Sequence, residues 1–125
     1  MLENEYAAEA EENWPEEFAA SQQKFAALSE PEQQALFLKN DEISRSLAAL
    51  FLAGETTTSP AVQSQISEHY KWVCAFWQPN RDAYIGLGQL YVDDERFTAT
   101  YDVYAAGLAA FICDAIQFWS FENLG

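Results

Sequence analysis

Two stretches of this chain are apolar on nearly every side, and a helix of that kind must be covered from more than one direction. The first is Tyr70-Lys-Trp-Val-Cys-Ala-Phe-Trp77, the second half of a helical segment predicted over 60–78. The other lies in a long segment over about 104–122, where Tyr104, Leu108, Phe111, Ile112, Ala115, Ile116, Phe118 and Trp119 cover most of the circumference. Two such helices are expected to sit at the centre of the fold with the others packed around them. Ile66, Tyr70, Val73 and Trp77 are expected on one face, with Trp72 and Phe76, four apart, as a neighbouring aromatic ridge. This much apolar surface has two readings. It fills a core, or part of it lines a cleft whose rings offer large, rigid contact area to a ligand.

The remaining signals are also helical. Ser29-Glu-Pro-Glu32 is a capping box, and Leu36, Ile43, Leu47, Leu50 and Phe51 follow at three- and four-residue steps until Gly54. Ser59-Pro60 caps and starts the 60–78 helix, which Pro79-Asn80 is expected to stop. A further helix is predicted over about 81–92, and a short one starting near Asp93 or Asp94. Gly86 and Gly88 within the 81–92 segment each cost about 1 kcal/mol relative to Ala, which points to close approach by another backbone or a ligand. Residues 3–13 and 15–28 carry seven Glu before the first basic residue, Lys24, and few large apolar side chains. They read as an acidic helical arm, broken at Pro15, that cannot easily offset its ordering entropy alone. The fold class is therefore all-α, one domain of five to six helices, with a mobile N-terminal arm over 1–28 and a ligand-binding core over 29–125.

A net charge of −14, from 6 basic and 20 acidic residues, argues against direct contact with nucleic acid, which requires Lys and Arg to displace counterions. No segment is long and apolar enough to cross a membrane, and the acidic start is unlike a signal peptide, so a cytoplasmic chain is expected. Cys74 and Cys113 sit in apolar surroundings and read as core thiols rather than a disulfide or a metal site, and His69 has no second His to share a metal with. No cofactor, metal or catalytic residue is expected: the carboxylates fall on solvent faces and in the arm, Asp93-Asp94-Glu95 suits a helix N-terminus, and Asp114 alone lies on an apolar helix.

The block His69-Tyr-Lys-Trp-Val73, Phe76-Trp77, Tyr84 to Phe97, Tyr101-Asp102 and Gly107-Leu108-Ala109, preceded by Trp14, Phe18 and Ser21, closely resembles the antibiotic-recognition domain (TipAS) of TipA-type MerR-family regulators. The resemblance covers roughly residues 11–119 and implies a globin-like all-α fold with a deep cleft, over which the N-terminal helices close. Family members recognise thiopeptides or other bulky multi-ring drugs, often as the effector half of a transcription regulator. With no helix-turn-helix ahead of residue 1, the expectation is a stand-alone domain that sequesters or senses a drug. The prototype captures a dehydroalanine with a cysteine just ahead of Leu-Gly; this chain reads Gly86-Leu87-Gly88 there, which favours reversible binding.

The expected ligand is thus a hydrophobic or cationic aromatic small molecule, antibiotic-like, held near Trp14, Phe18, His69, Trp72, Val73, Phe76, Tyr84, Leu87, Tyr91, Tyr104 and Phe111. Their rings would stack on it while tyrosine hydroxyls and His69 orient its polar groups. A second reading gives the same groove to a helix of a partner protein or to homodimerisation.

Overall fold

The computed structural model describes Gln23 and residues 26–124, and among them every regular element is a helix. The helices are α1 (Glu30–Leu52), α2 (Pro60–Cys74), α3 (Arg81–Asp93), α4 (Glu95–Asp102) and α5 (Leu108–Asn123). The expected arm over 1–28, with Trp14 and Phe18, lies almost wholly outside the described residues.

Each start has a local chemical cause. Ser29 accepts from the Glu32 amide at 3.3 Å while Glu32 accepts from the Ser29 amide at 3.1 Å, so the capping box forms in full. Ser59 caps α2 through the Val62 amide, Pro60 fills its first turn, and Asn80 caps α3 through the Ala83 amide. Asp94 ends α3 and caps α4, accepting from the Arg96 amide at 2.9 Å and pairing with the Arg96 guanidinium.

Two boundaries differ from the sequence expectation. α2 stops at Cys74, not near Gln78, because its last turn tightens: Ala75 and Phe76 donate to the carbonyls of Trp72 and Val73, three residues back. Pro79 disfavours helical geometry at the residue before it, and the chain instead folds so that the Tyr70 hydroxyl donates to the Pro79 carbonyl at 2.7 Å. α5 begins at Leu108, not near residue 104, because Gly107 has φ 89°, a left-handed geometry that interrupts helical continuation. No side chain at position 107 caps the new helix. Asp102, at the end of α4, does so by accepting from the Ala109 amide at 3.0 Å.

α5 is the centre of the bundle, in contact with all four other helices and most extensively with α3. Its buried stripe is Leu108, Ala109, Ile112, Ala115, Ile116, Trp119 and Ser120. The all-round burial expected of this helix is not found: Phe118 and Phe121 on its outer side are exposed. In α2 the buried stripe is Val62, Ile66, His69 and Val73, so His69 belongs to the inward face while Tyr70 is half-buried. Close approach does explain Gly88. A Cβ there would lie 3.2–3.3 Å from the Ile116 side chain, so the missing side chain lets α3 settle onto α5. Cys74 and Cys113 are half-buried rather than fully enclosed, and neither is in a disulfide. Asp114 is exposed.

The turn at Gly107 yields a direct test. Gly107→Ala is expected to lower unfolding stability by about 1–2 kcal/mol, the left-handed penalty for an L-residue, and Gly107→Asn by less. Urea midpoints at constant m-value measure both; equal stability of all three proteins would show that the turn relaxes without cost.

Candidate functional site

Trp72, Tyr84 and Tyr91, three of the aromatic residues singled out in the sequence, surround a buried imidazole, His69. His69 retains only 1% of its surface and Tyr84 none. The Nδ1 atom of His69 lies 2.7 Å from the Tyr84 hydroxyl, and Nε2 lies 3.3 Å from the Tyr91 hydroxyl. The Tyr84 hydroxyl also faces the Ile66 carbonyl at 3.5 Å. One proton arrangement satisfies every member: Nδ1–H donates to Tyr84, Tyr84 donates to Ile66, and Tyr91 donates to Nε2.

Burial dominates the electrostatics here. It drives the His69 pKa down from 6.5 to about 4, so the ring is neutral. It drives Tyr84 well above the usual phenol range, helped by Tyr101, Cys74 and Tyr70, so the hydroxyl stays protonated. The network is a set of neutral, mutually satisfied groups, which suits cohesion rather than proton transfer.

More rings enclose it. Tyr84 meets the edge of Trp119 at 5.6 Å and Tyr70 at 4.9 Å, and Tyr91 meets Tyr101 at 4.6 Å. Trp72 lies 5.9 Å from His69 on one side and 5.0 Å from Phe76 on the other, in an edge-on pair. The Trp72 indole N–H donates to the Leu36 carbonyl at 2.8 Å, tying α2 to the first half of α1. Trp72, Phe76 and Leu87 are half-buried, whereas Val73 and Tyr91 are buried with His69 and Tyr84.

Tyr104 and Phe111 form a separate group. Phe111 packs on Phe51 at 4.8 Å, and the Tyr104 hydroxyl donates to Asp41 Oδ1 at 2.7 Å, where Arg45 also binds Asp41 at 2.9 Å. Sequence reasoning had not singled out Asp41 and Arg45. Their signal was an acid and a base four apart on one helix face, a pattern shared with many ordinary surface pairs. Among the described residues, no cluster of His, Cys, Asp or Glu could hold a metal, and no helix is long and apolar enough to cross a membrane.

The bundle thus closes on a neutral aromatic core, with Trp72, Phe76 and Leu87 half-buried. The chain belongs to the TipAS antibiotic-recognition domain family, whose model matches residues 6–119. The structure superposes on TipAS of Streptomyces lividans, solved in complex with nosiheptide as part of a thiopeptide antibiotic multidrug resistance system. The TM-score is 0.84 at 28% identity, covering 96% of this chain and 86% of that one. The globin-like fold is therefore shared. Among full-length relatives, the HTH-type transcriptional activator TipA of Streptomyces coelicolor is 30% identical over 116 residues, 90% of this chain and 46% of the relative. The activator mta of Bacillus subtilis is 30% identical over 113 residues, 89% of this chain and 43% of the relative. The chain spans less than half the length of either regulator.

The imidazole generates a pH prediction. His69 is neutral in the fold at pH values where the unfolded chain already binds a proton. Its stabilising effect is thus complete above about 6.5, declines as the pH falls, and levels off below about 4. The slope is at most roughly 1.4 kcal/mol per pH unit. Urea unfolding should show wild type more stable than His69→Gln at pH 7, with the difference shrinking towards pH 4. A difference independent of pH would contradict a buried neutral imidazole.

Proposed function

We propose that this chain reversibly binds bulky, hydrophobic multi-ring antibiotics and so sequesters or senses them. The observation that carries this is a fold match over 96% of the chain to a domain solved with a thiopeptide bound. Contact falls to the half-buried rings Trp72 and Phe76 and to Leu87, with His69, Val73, Tyr84 and Tyr91 holding them from behind. Trp14 and Phe18 of the 1–28 arm cover the ligand in this reading. The chain acts by binding and not by catalysis. Like the regulators it resembles, it works in the cytoplasm, and its net charge of −14 leaves any DNA contact to another polypeptide segment.

Gly86 fixes the mode of binding. The family's thiopeptide capture adds a cysteine thiolate to the β-carbon of a dehydroalanine, with a proton delivered to the α-carbon. Gly86 offers no such nucleophile, so the complex forms without a covalent bond.

Tryptophan fluorescence titrated with nosiheptide tests the proposal. A saturable change is expected that reverses on dialysis and leaves the intact mass unaltered. Trp72→Ala should weaken binding about tenfold or more, in line with loss of a central aromatic anchor. Gly86→Cys should acquire the mass of one bound antibiotic. A folded protein whose fluorescence ignores nosiheptide at high micromolar concentration would remove thiopeptides as the ligand class.

A further inference from the structure

A concavity lies along α1. It is an open groove of about 560 Å³ with Ala48 and Leu52 on one wall, Val103 and Tyr104 on the other, and Asp41 and Arg45 at one end. Its rim exposes two large apolar side chains, Leu52 at 72% and Val103 at 79%. At the polar end, the Asp41 carboxylate and the face of Tyr104 converge on a single cation. Arg45 Nε donates to Asp41 Oδ2 at 2.9 Å, and its guanidinium carbon lies 5.7 Å from the Tyr104 ring centre. Tyr104 holds the carboxylate in place by donating to Oδ1 at 2.7 Å.

An anion beside an aromatic face is the chemistry that recognises organic cations. Here that chemistry is already assembled around a guanidinium whose side chain is 71% exposed. An ion pair so exposed is weakly held, so Arg45 swings aside easily. We propose that this groove is a second ligand site, for an organic cation with a flat apolar body, and that Arg45 is the chain's own stand-in for that ligand. The cation takes the place of the guanidinium on Tyr104 and Asp41, and the apolar body lies along Ala48 between Leu52 and Val103. The charge of −14 on the whole chain concentrates cations near this surface. Its anchor on α1 differs from that of Trp72: Trp72 bonds the Leu36 carbonyl, and Tyr104 bonds the Asp41 side chain.

Ethidium, a flat cation that brightens in apolar surroundings, is the probe. Titrations at several salt concentrations would compare wild type with Asp41→Asn and Arg45→Ala. Glu42→Gln and Lys71→Ala make the same charge changes elsewhere on the surface. Arg45→Ala is expected to bind roughly fivefold more tightly and Asp41→Asn about tenfold more weakly, the range of one cation–π and charge contact. The two controls should shift only as net charge dictates. Backbone amide shifts on ethidium addition should cluster at 41–52 and 103–104. Four results would each overturn the proposal. One is Arg45→Ala binding no more tightly than Lys71→Ala; another is equal weakening by Asp41→Asn and Glu42→Gln; a third is amide shifts centred on 69–76. The fourth is self-association abolished by Leu52→Glu without ethidium binding, which would assign the groove to a second copy of the chain. Asp41 and Arg45 lie at the surface, so unchanged thermal melts confirm that each variant is folded.

Discussion

A neutral imidazole clamped between two phenols holds together two helices whose backbones scarcely touch. α2 and α3 follow one another in the chain, yet their backbones approach only sparsely. The gap between them is bridged by side chains: His69 from α2 against Tyr84 and Tyr91 from α3. On its other side α3 behaves in the opposite way, settling onto α5 where Gly88 leaves room for Ile116. The bundle is thus asymmetric, with small-residue contact on one flank of α3 and a thick aromatic layer on the other. Replacing one member of that layer leaves a buried polar partner unsatisfied, which costs more than the hydrogen bond contributed.

The same asymmetry explains why large rings end up half-covered. With α2 held away from α3 by the rings in the layer, its C-terminal turn projects Trp72 and Phe76 towards the edge of the bundle. α2 also ends early there, tightening into the loop that buries Pro79. Trp72 is nevertheless fixed in direction by its bond to the Leu36 carbonyl and by contact with His69 and Phe76. A ring that is oriented yet partly accessible is pre-organised for stacking, because little side-chain entropy is left to lose on binding.

Helix class and most starts were legible because a start is written in a few adjacent residues, as in Ser29-Glu-Pro-Glu32 and Ser59-Pro60. The ends were less so. Nothing local to Phe76 announces that α2 has already stopped, since its geometry follows from the tertiary bond between Tyr70 and Pro79. The start of α5 depends on a left-handed Gly107 and a cap supplied from Asp102, seven residues before the amide it serves. The candidate site shows the same division. The family resemblance placed His69, Tyr84 and Tyr91 near the expected cleft. Periodicity within one helix could not say that they face each other across two. Nor could it say that Tyr104 bonds Asp41, 63 residues away.

That division bears on where ligand specificity resides. Both nitrogens of His69 are engaged by phenols, and a ligand that sought one of them would first have to break a satisfied buried network. His69, Tyr84 and Tyr91 are therefore poor places to vary ligand preference, since a change there acts first on stability. The half-buried set has the opposite character. Phe76 and Leu87 carry no polar side-chain atom, so a change of shape there orphans no donor or acceptor, whereas replacing Trp72 also removes its bond to the Leu36 carbonyl. The fold thus separates a polar aromatic core that holds α2 to α3 from the half-buried residues beside it.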